Sequence, residues 1–191
     1  MSSLSHAVGF LQAAYTIVLG LALTEGFKQF VPDRDEEIDW DRFWPLFGFV
    51  FLIFPFFHGM SRYLYTTYLL PKIPPNSFAG FLMFDGVAFL LMSISFFAIS
   101  RSFAAHRWRR YYGALTFLLI VDSMWICVAV YRGADVSIWL WLNAVLAVVM
   151  VRAYLWFRCD PTSLWPVRIC AATICLTTIA SYILMKDFYF T

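Results

Sequence analysis

The sequence predicts an all-α polytopic membrane protein of about six transmembrane helices with short loops. Two observations predict it. The 191 residues are 62% hydrophobic and 14% charged, where a soluble domain is roughly half apolar and a quarter charged. The apolar residues also gather into six runs of about 20 or more, the length a helix needs to cross a bilayer. Nearly the whole chain, 1–191, is used in crossing, so it reads as one transmembrane helical-bundle domain. No separate soluble domain of even about 50 residues fits beside it. A net charge of +2, with the arginines at helix ends, gives no reason to expect nucleic acid as a partner.

Span 1 is expected at 7–31, ending before Pro32. The residues ahead of it, Met1 to His6, carry no Lys or Arg. That is not the positive start of a signal peptide, so the span is expected to be retained. Gly9, Ala13, Thr16, Gly20 and Thr24 recur every three or four residues, a small-residue stripe that lets another helix approach closely. Glu25 and Lys28 follow one turn apart. The loop after it holds Asp33, Asp35, Glu36, Glu37, Asp39 and Asp41. It lacks the glycine and ligand spacing of an EF-hand, so it reads as a solvated turn with no metal. Trp40 and Trp44 mark the headgroup level there.

Span 2 is expected at 43–70, long enough to tilt or to end along the interface. Its centre, Phe54-Pro55-Phe56-Phe57-His58-Gly59-Met60-Ser61-Arg62, holds four residue types that a lipid-facing helix avoids. Pro55 removes a backbone donor and should kink the helix. The Lys72 to Asn76 turn leads to span 3, at 78–100, which contains Asp85. A basic loop with Arg101, His106, Arg107, Arg109 and Arg110 follows. Span 4 (111–131) carries Asp122 near its middle and closes on a tight turn, Arg132-Gly133-Ala134-Asp135. Span 5 (137–157) contains Asn143 and Arg152 and is broken at Cys159-Asp160-Pro161. Span 6 (164–185) presents Thr173, Thr177 and Ser181 on one face and leads to a short aromatic tail.

A charge in hydrocarbon is costly unless paired or hydrated, so each buried ionisable residue is a candidate site. Matching depths at about 1.5 Å per helical residue suggests three pairs: His58 with Asp122, Arg62 with Asp85, and Glu25 with Arg152. Two readings follow. As structural pairs they fix helix order and register. As a hydrated path, His58, Arg62, Asp85 and Asp122 form an ion pathway or gate, with Pro55 and Gly59 as the hinge. A histidine beside a carboxylate exchanges protons near neutral pH.

The first functional expectation is therefore a homo-oligomeric ion- or proton-conducting channel, or a transporter-like conductor. The alternative is a membrane-anchored sensing or effector subunit, by analogy with the membrane arms of bacterial two-component defence systems. It would dock a cytoplasmic protein through Arg101, Arg107, Arg109 and Arg110, a cluster that also suits anionic lipid. Enzymatic function is not expected, because there is no CxxC, histidine–acid metal box, serine–histidine pair or di-aspartate motif. Cys127, Cys159, Cys170 and Cys175 read as small apolar residues without disulfide or metal spacing. The three histidines lie on separate segments, so no haem is expected, nor any other cofactor. Compactness and short loops suggest a bacterial inner membrane.

Basic residues orient the spans. Lys28, Arg34, Arg42, Arg101, Arg107, Arg109, Arg110, Arg152, Arg158 and Arg168 flank loops one, three and five. Arg62, Lys72, Arg132 and Lys186 lie on the other side. Loops one, three and five are thus expected in the cytoplasm and both termini outside. Reporter fusions at the two termini check this: both should be active only outside the membrane, and a cytoplasmic C-terminus would overturn the assignment.

Overall fold

Hydrocarbon offers no water to bond backbone amides, so an apolar chain that crosses it must satisfy them internally, as helix. The computed structural model describes residues 3–31, 40–70, 78–103 and 107–190. It has helices α1 (Ser3–Phe30), α2 (Phe43–Leu64), α3 (Phe78–Arg101), α4 (Trp108–Tyr131), α5 (Ser137–Cys159), α6 (Trp165–Leu184) and a short α7 (Lys186–Phe190). A 3-10 turn (Trp40–Arg42) leads into α2, and a π-helical turn (Tyr65–Leu69) continues it. No strand occurs among the described residues. Six of the helices are long and apolar enough to cross a membrane. Phe10, Ile17, Met83, Leu90, Met124, Val148, Leu176 and Ile183 are all exposed on the outside. Apolar surface on this scale is matched by lipid, not water. The chain is a multi-pass integral membrane protein in a lipid bilayer.

Each helix packs on two neighbours in a closed ring, ordered α1, α3, α4, α5, α6, α2 and back to α1. Directions follow from the contacts. Asn143 meets Asp122 and Thr116 meets Met150, so α4 and α5 run antiparallel. A Cβ at Gly48 would meet Ala171 and the hydroxyl of Thr178 reaches the carbonyl of Phe51, so α2 and α6 run parallel. Inside the ring Phe49, Tyr63, Phe89, Phe96 and Trp125 are buried. Trp125 stands edge-on to Tyr63 at 4.8 Å and to Phe89 at 5.5 Å between centroids, a favourable aromatic geometry.

Local chemistry sets the helix ends. Gly133 has φ +88°, the left-handed conformation that glycine adopts without strain. Its N–H bonds the carbonyl of Val130 at 2.9 Å, and that of Ala134 bonds Ala129 at 3.0 Å, a Schellman closure that ends α4 at Arg132. Arg42 donates from Nη1 to the carbonyl of Gln29 at 2.7 Å and ties α2 to the end of α1. Pro32, the acidic residues 33–39, Lys72 to Asn76 and His106 lie outside the described residues.

The small-residue stripe of span 1 does not receive a helix of the same chain. Gly9, Ala13, Thr16, Gly20 and Thr24 are exposed, and a Cβ at Gly9 or Gly20 would meet nothing within 4 Å. Ring order sets its side: α1 turns its other face, with Tyr15, Leu19 and Ala22, inward. Close approach occurs instead where α2 crosses α6, because a Cβ at Gly48 would lie 2.9 Å from Cα of Ala171. Gly48→Ala should therefore destabilise the bundle by about 1–3 kcal/mol through overpacking. Gly9→Ala should leave it unchanged or slightly more stable. Thermal unfolding of both variants in the same detergent checks this.

Candidate functional site

Two carboxylates lie inside the ring, and their surroundings differ. Asp85, on α3, is fully buried and well supplied with donors. The π-helical turn after α2 aims Tyr68 at it, and the Tyr68 hydroxyl donates to Oδ2 at 2.5 Å. Trp125 of α4 donates from Nε1 to Oδ1 at 3.0 Å. Arg132, delivered by the closure of α4, donates from Nη1 at 3.2 Å to both carboxylate oxygens and at 3.2 Å to the Tyr63 hydroxyl. Its guanidinium carbon also lies 4.2 Å from the Phe81 ring centroid, within cation–π range. The Asp85 charge, buried with its partner and with this many donors, is compensated, although Nε of Arg132 is buried without a hydrogen-bond partner. It locks α2, α3 and α4 together.

Asp122, on α4, is 6% exposed. Among the described residues its one hydrogen-bond donor is the neutral amide of Asn143, whose Nδ2 reaches Oδ2 at 2.5 Å. No described cation pairs with it. It opens instead on a cavity of ≈ 60 Å³ between α2, α4, α5 and α6, lined also by Pro55, Trp125, Trp139, Asn143, Thr177, Thr178 and Ser181. That is room for a few water molecules.

The cavity wall follows from Pro55. Proline has no N–H, so the carbonyl of Phe51, four residues earlier, loses its helical partner. The Thr178 hydroxyl of α6 donates to that carbonyl at 3.0 Å, so α2 continues as helix through Pro55. The other hydroxyls are also committed to backbone. Thr177 donates to the carbonyls of Thr173 and Ile174, both at 3.0 Å, and Ser181 to that of Thr178 at 2.8 Å. Each hydroxyl has one proton to give. With those protons engaged, Thr177, Thr178 and Ser181 offer the cavity oxygen lone pairs, next to a carboxylate. Its lining thus includes acceptor oxygens from Asp122, Thr177, Thr178 and Ser181 beside the N–H groups of Asn143 and Trp139, and the acceptors suit a cation or a proton.

Of the residues singled out from sequence, Asp122, Pro55, Asn143, Thr177 and Ser181 line this cavity, and the remaining charged candidates and Gly59 lie elsewhere. His58 does not pair with Asp122. Its ring lies 5.0 Å from Tyr189 and 5.8 Å from both Tyr182 and Phe190, because α7 folds back over that face of α2. Arg62 does not pair with Asp85 but donates from Nε to the carbonyl of Phe188 at 3.0 Å, anchoring α7. Glu25 does not pair with Arg152. It accepts from Gln29 at 3.1 Å and faces Arg101 at 3.9 Å, across α1 and α3. Arg152 is exposed on the outside of α5. Gly59 seats Trp139, since a Cβ there would fall 2.7 Å from its ring. Tyr189 packs beside it, and burial raises its hydroxyl well above the ordinary phenol range. Arg101, Arg107, Arg109 and Arg110 are exposed at one end of the bundle.

Arg132, Tyr68 and Trp125 went unassigned in the sequence, and Thr178 stood off the face proposed for Thr173, Thr177 and Ser181. The proline pointed to Thr178 indirectly, because a freed carbonyl in lipid requires a donor. No group of three or more His, Cys, Asp or Glu side chains is placed to hold a metal ion among the described residues. No family model matches the chain, and neither a curated protein nor a solved structure matches it.

The proline and the threonine should be thermodynamically coupled. Thr178→Val leaves the Phe51 carbonyl unpaired and should cost about 1–3 kcal/mol. In a Pro55→Ala background the restored amide bonds that carbonyl, so the same change should cost less than half as much. A double-mutant cycle by unfolding in detergent measures the difference, and equal costs in both backgrounds would refute the assignment.

Proposed function

We propose that this protein conducts protons or a small monovalent cation across its membrane, with Asp122 as the group that binds them. The observation that carries this reading is the pairing state of Asp122. A carboxylate inside a membrane bundle, with one neutral donor and no described cation, is costly to keep charged. A proton or cation from the adjoining cavity relieves that cost. The acceptor lining from Thr177, Thr178 and Ser181 supports the same sign of ligand. Pro55 and Thr178 are the moving part: exchanging the Thr178 bond for water at the Phe51 carbonyl frees α2 to bend at the cavity wall. The binding site lies within one chain, so it does not depend on a pore at a symmetry axis, even if copies associate as the sequence suggested. Asp85, already paired, has a structural part. His58 and Arg62 hold α7.

A second reading rests on a separate observation. Arg107, Arg109 and Arg110 crowd the start of α4, where the helix dipole disfavours cations. Nothing in the described bundle rewards that placement, which suits docking of an acidic cytoplasmic surface. Neither reading involves catalysis.

Flux separates them. Purified protein in liposomes carrying an internal pH dye should dissipate a proton or monovalent-cation gradient. Asp122→Asn, which keeps the size and the contact with Asn143, should lower the rate at least tenfold. His58→Ala should stay within about twofold of the parent. Absence of flux between about pH 5 and 8, or full flux in Asp122→Asn, would overturn the conductor reading.

A further inference from the structure

Arg152 is the charge that neither the fold nor the cavity explains. It sits on α5 about 10 Å before the helix ends at Cys159, at 1.5 Å per residue. It is exposed on the outside of the ring and has no hydrogen bond or ion pair among the described residues. An arginine at that depth is tolerated when its long side chain snorkels to the headgroup layer, with the aliphatic stem lying on apolar surface. The level of that layer is marked nearby by Trp156 and Trp165, both exposed, as interfacial tryptophans are.

The stem has such a surface. Arg152 lines an open trough of ≈ 540 Å³ between α5 and α6, whose other walls are Val148, Val149, Leu155, Trp156 and Ile169. The trough is apolar along its length and cationic at one point. The nearest acid in sequence, Asp160, is engaged by the backbone N–H of Thr162 at 3.2 Å and by its hydroxyl at 2.7 Å, so it does not neutralise Arg152. Arg158, exposed at the same end, adds positive field.

We propose that this trough holds one anionic phospholipid, with its phosphate on the Arg152 guanidinium and an acyl chain along Val148, Val149 and Ile169. Charge complementarity selects the occupant. A guanidinium fork grips phosphate through paired N–H donors, and a headgroup without a compensating ammonium leaves the added field of Arg158 unopposed. A zwitterionic lipid satisfies the apolar trough but not that field. The site is separate from the Asp122 cavity, and its occupancy is measured without reference to flux.

The test uses the full chain in nanodiscs of equal phosphatidylglycerol and phosphatidylcholine, released into mild detergent and weighed with retained lipid by native mass spectrometry. Phosphatidylglycerol should be retained in preference to phosphatidylcholine, at one tight copy per chain. Arg152→Gln should lower that retention about fivefold, the effect of removing one basic residue at an anionic surface. Arg152→Lys, which keeps the charge without the fork, should fall between them, and Lys186→Gln, at an exposed position given no part in binding, should match the parent. Equal retention of the two lipids overturns the proposal. So does unchanged retention in a folded Arg152→Gln or, if that variant does not fold, in Arg152→Lys. A second protein copy occupying the trough in place of lipid also overturns it.

Discussion

Every polar group within the spans must find its partner inside the chain, because lipid supplies none. That constraint organises this bundle more than any apolar contact, since side chains facing lipid gain little by leaving it. It explains why the Thr178 hydroxyl reaches across to α2, where Pro55 has stripped the Phe51 carbonyl of its amide. It explains why Asp85 collects donors from the π-helical turn and from α4. It also explains the serines of α3: Ser93, Ser95 and Ser100 return their protons to backbone carbonyls at 2.7–2.8 Å.

Against that rule the buried hydroxyls of Tyr15 and Tyr112 have no hydrogen-bond partner among the described residues, and two charged groups lie against open space. Asp122 faces inward, on a cavity; Arg152 faces outward, on a trough. One has a single neutral donor and the other has no described partner. Trp125 joins the inner exception to the satisfied network. Its indole N–H bonds Asp85 while its ring forms part of the Asp122 cavity wall. The wall is therefore held in place by an ion pair, and the site is built against a rigid side on α4 and an adjustable side on α2.

The helix count and the membrane were legible because they rest on composition and run length, which need no knowledge of neighbours. Asp122 and Pro55 were legible for a related reason: a mid-span carboxylate and a mid-helix proline are anomalies in any helix order. The partners were not. Depth along the membrane follows from residue number, but which helices touch depends on the ring order, and α1 next to α3 with α2 next to α6 is not written in any local pattern. Matching by depth alone therefore paired Arg62 with Asp85, when Arg132 folds back from a turn to reach the same carboxylate. The same ignorance of azimuth left open which side of α1 its small-residue stripe would occupy.

Ring order has a consequence for how the protein is made. Helices leave the ribosome from the N-terminus, yet α2 finds its long contact only with α6, and the Phe51 carbonyl waits for a hydroxyl 127 residues later in the chain. Until α6 arrives, the first hairpin carries an unbonded carbonyl at the proline, and the wall of the Asp122 cavity on that side is missing. The ring is complete only with α6, which packs on both α5 and α2. A chain ending before Trp165 would thus be an open arc, in which Asp85 already has its donors while the Asp122 cavity lacks its α6 wall.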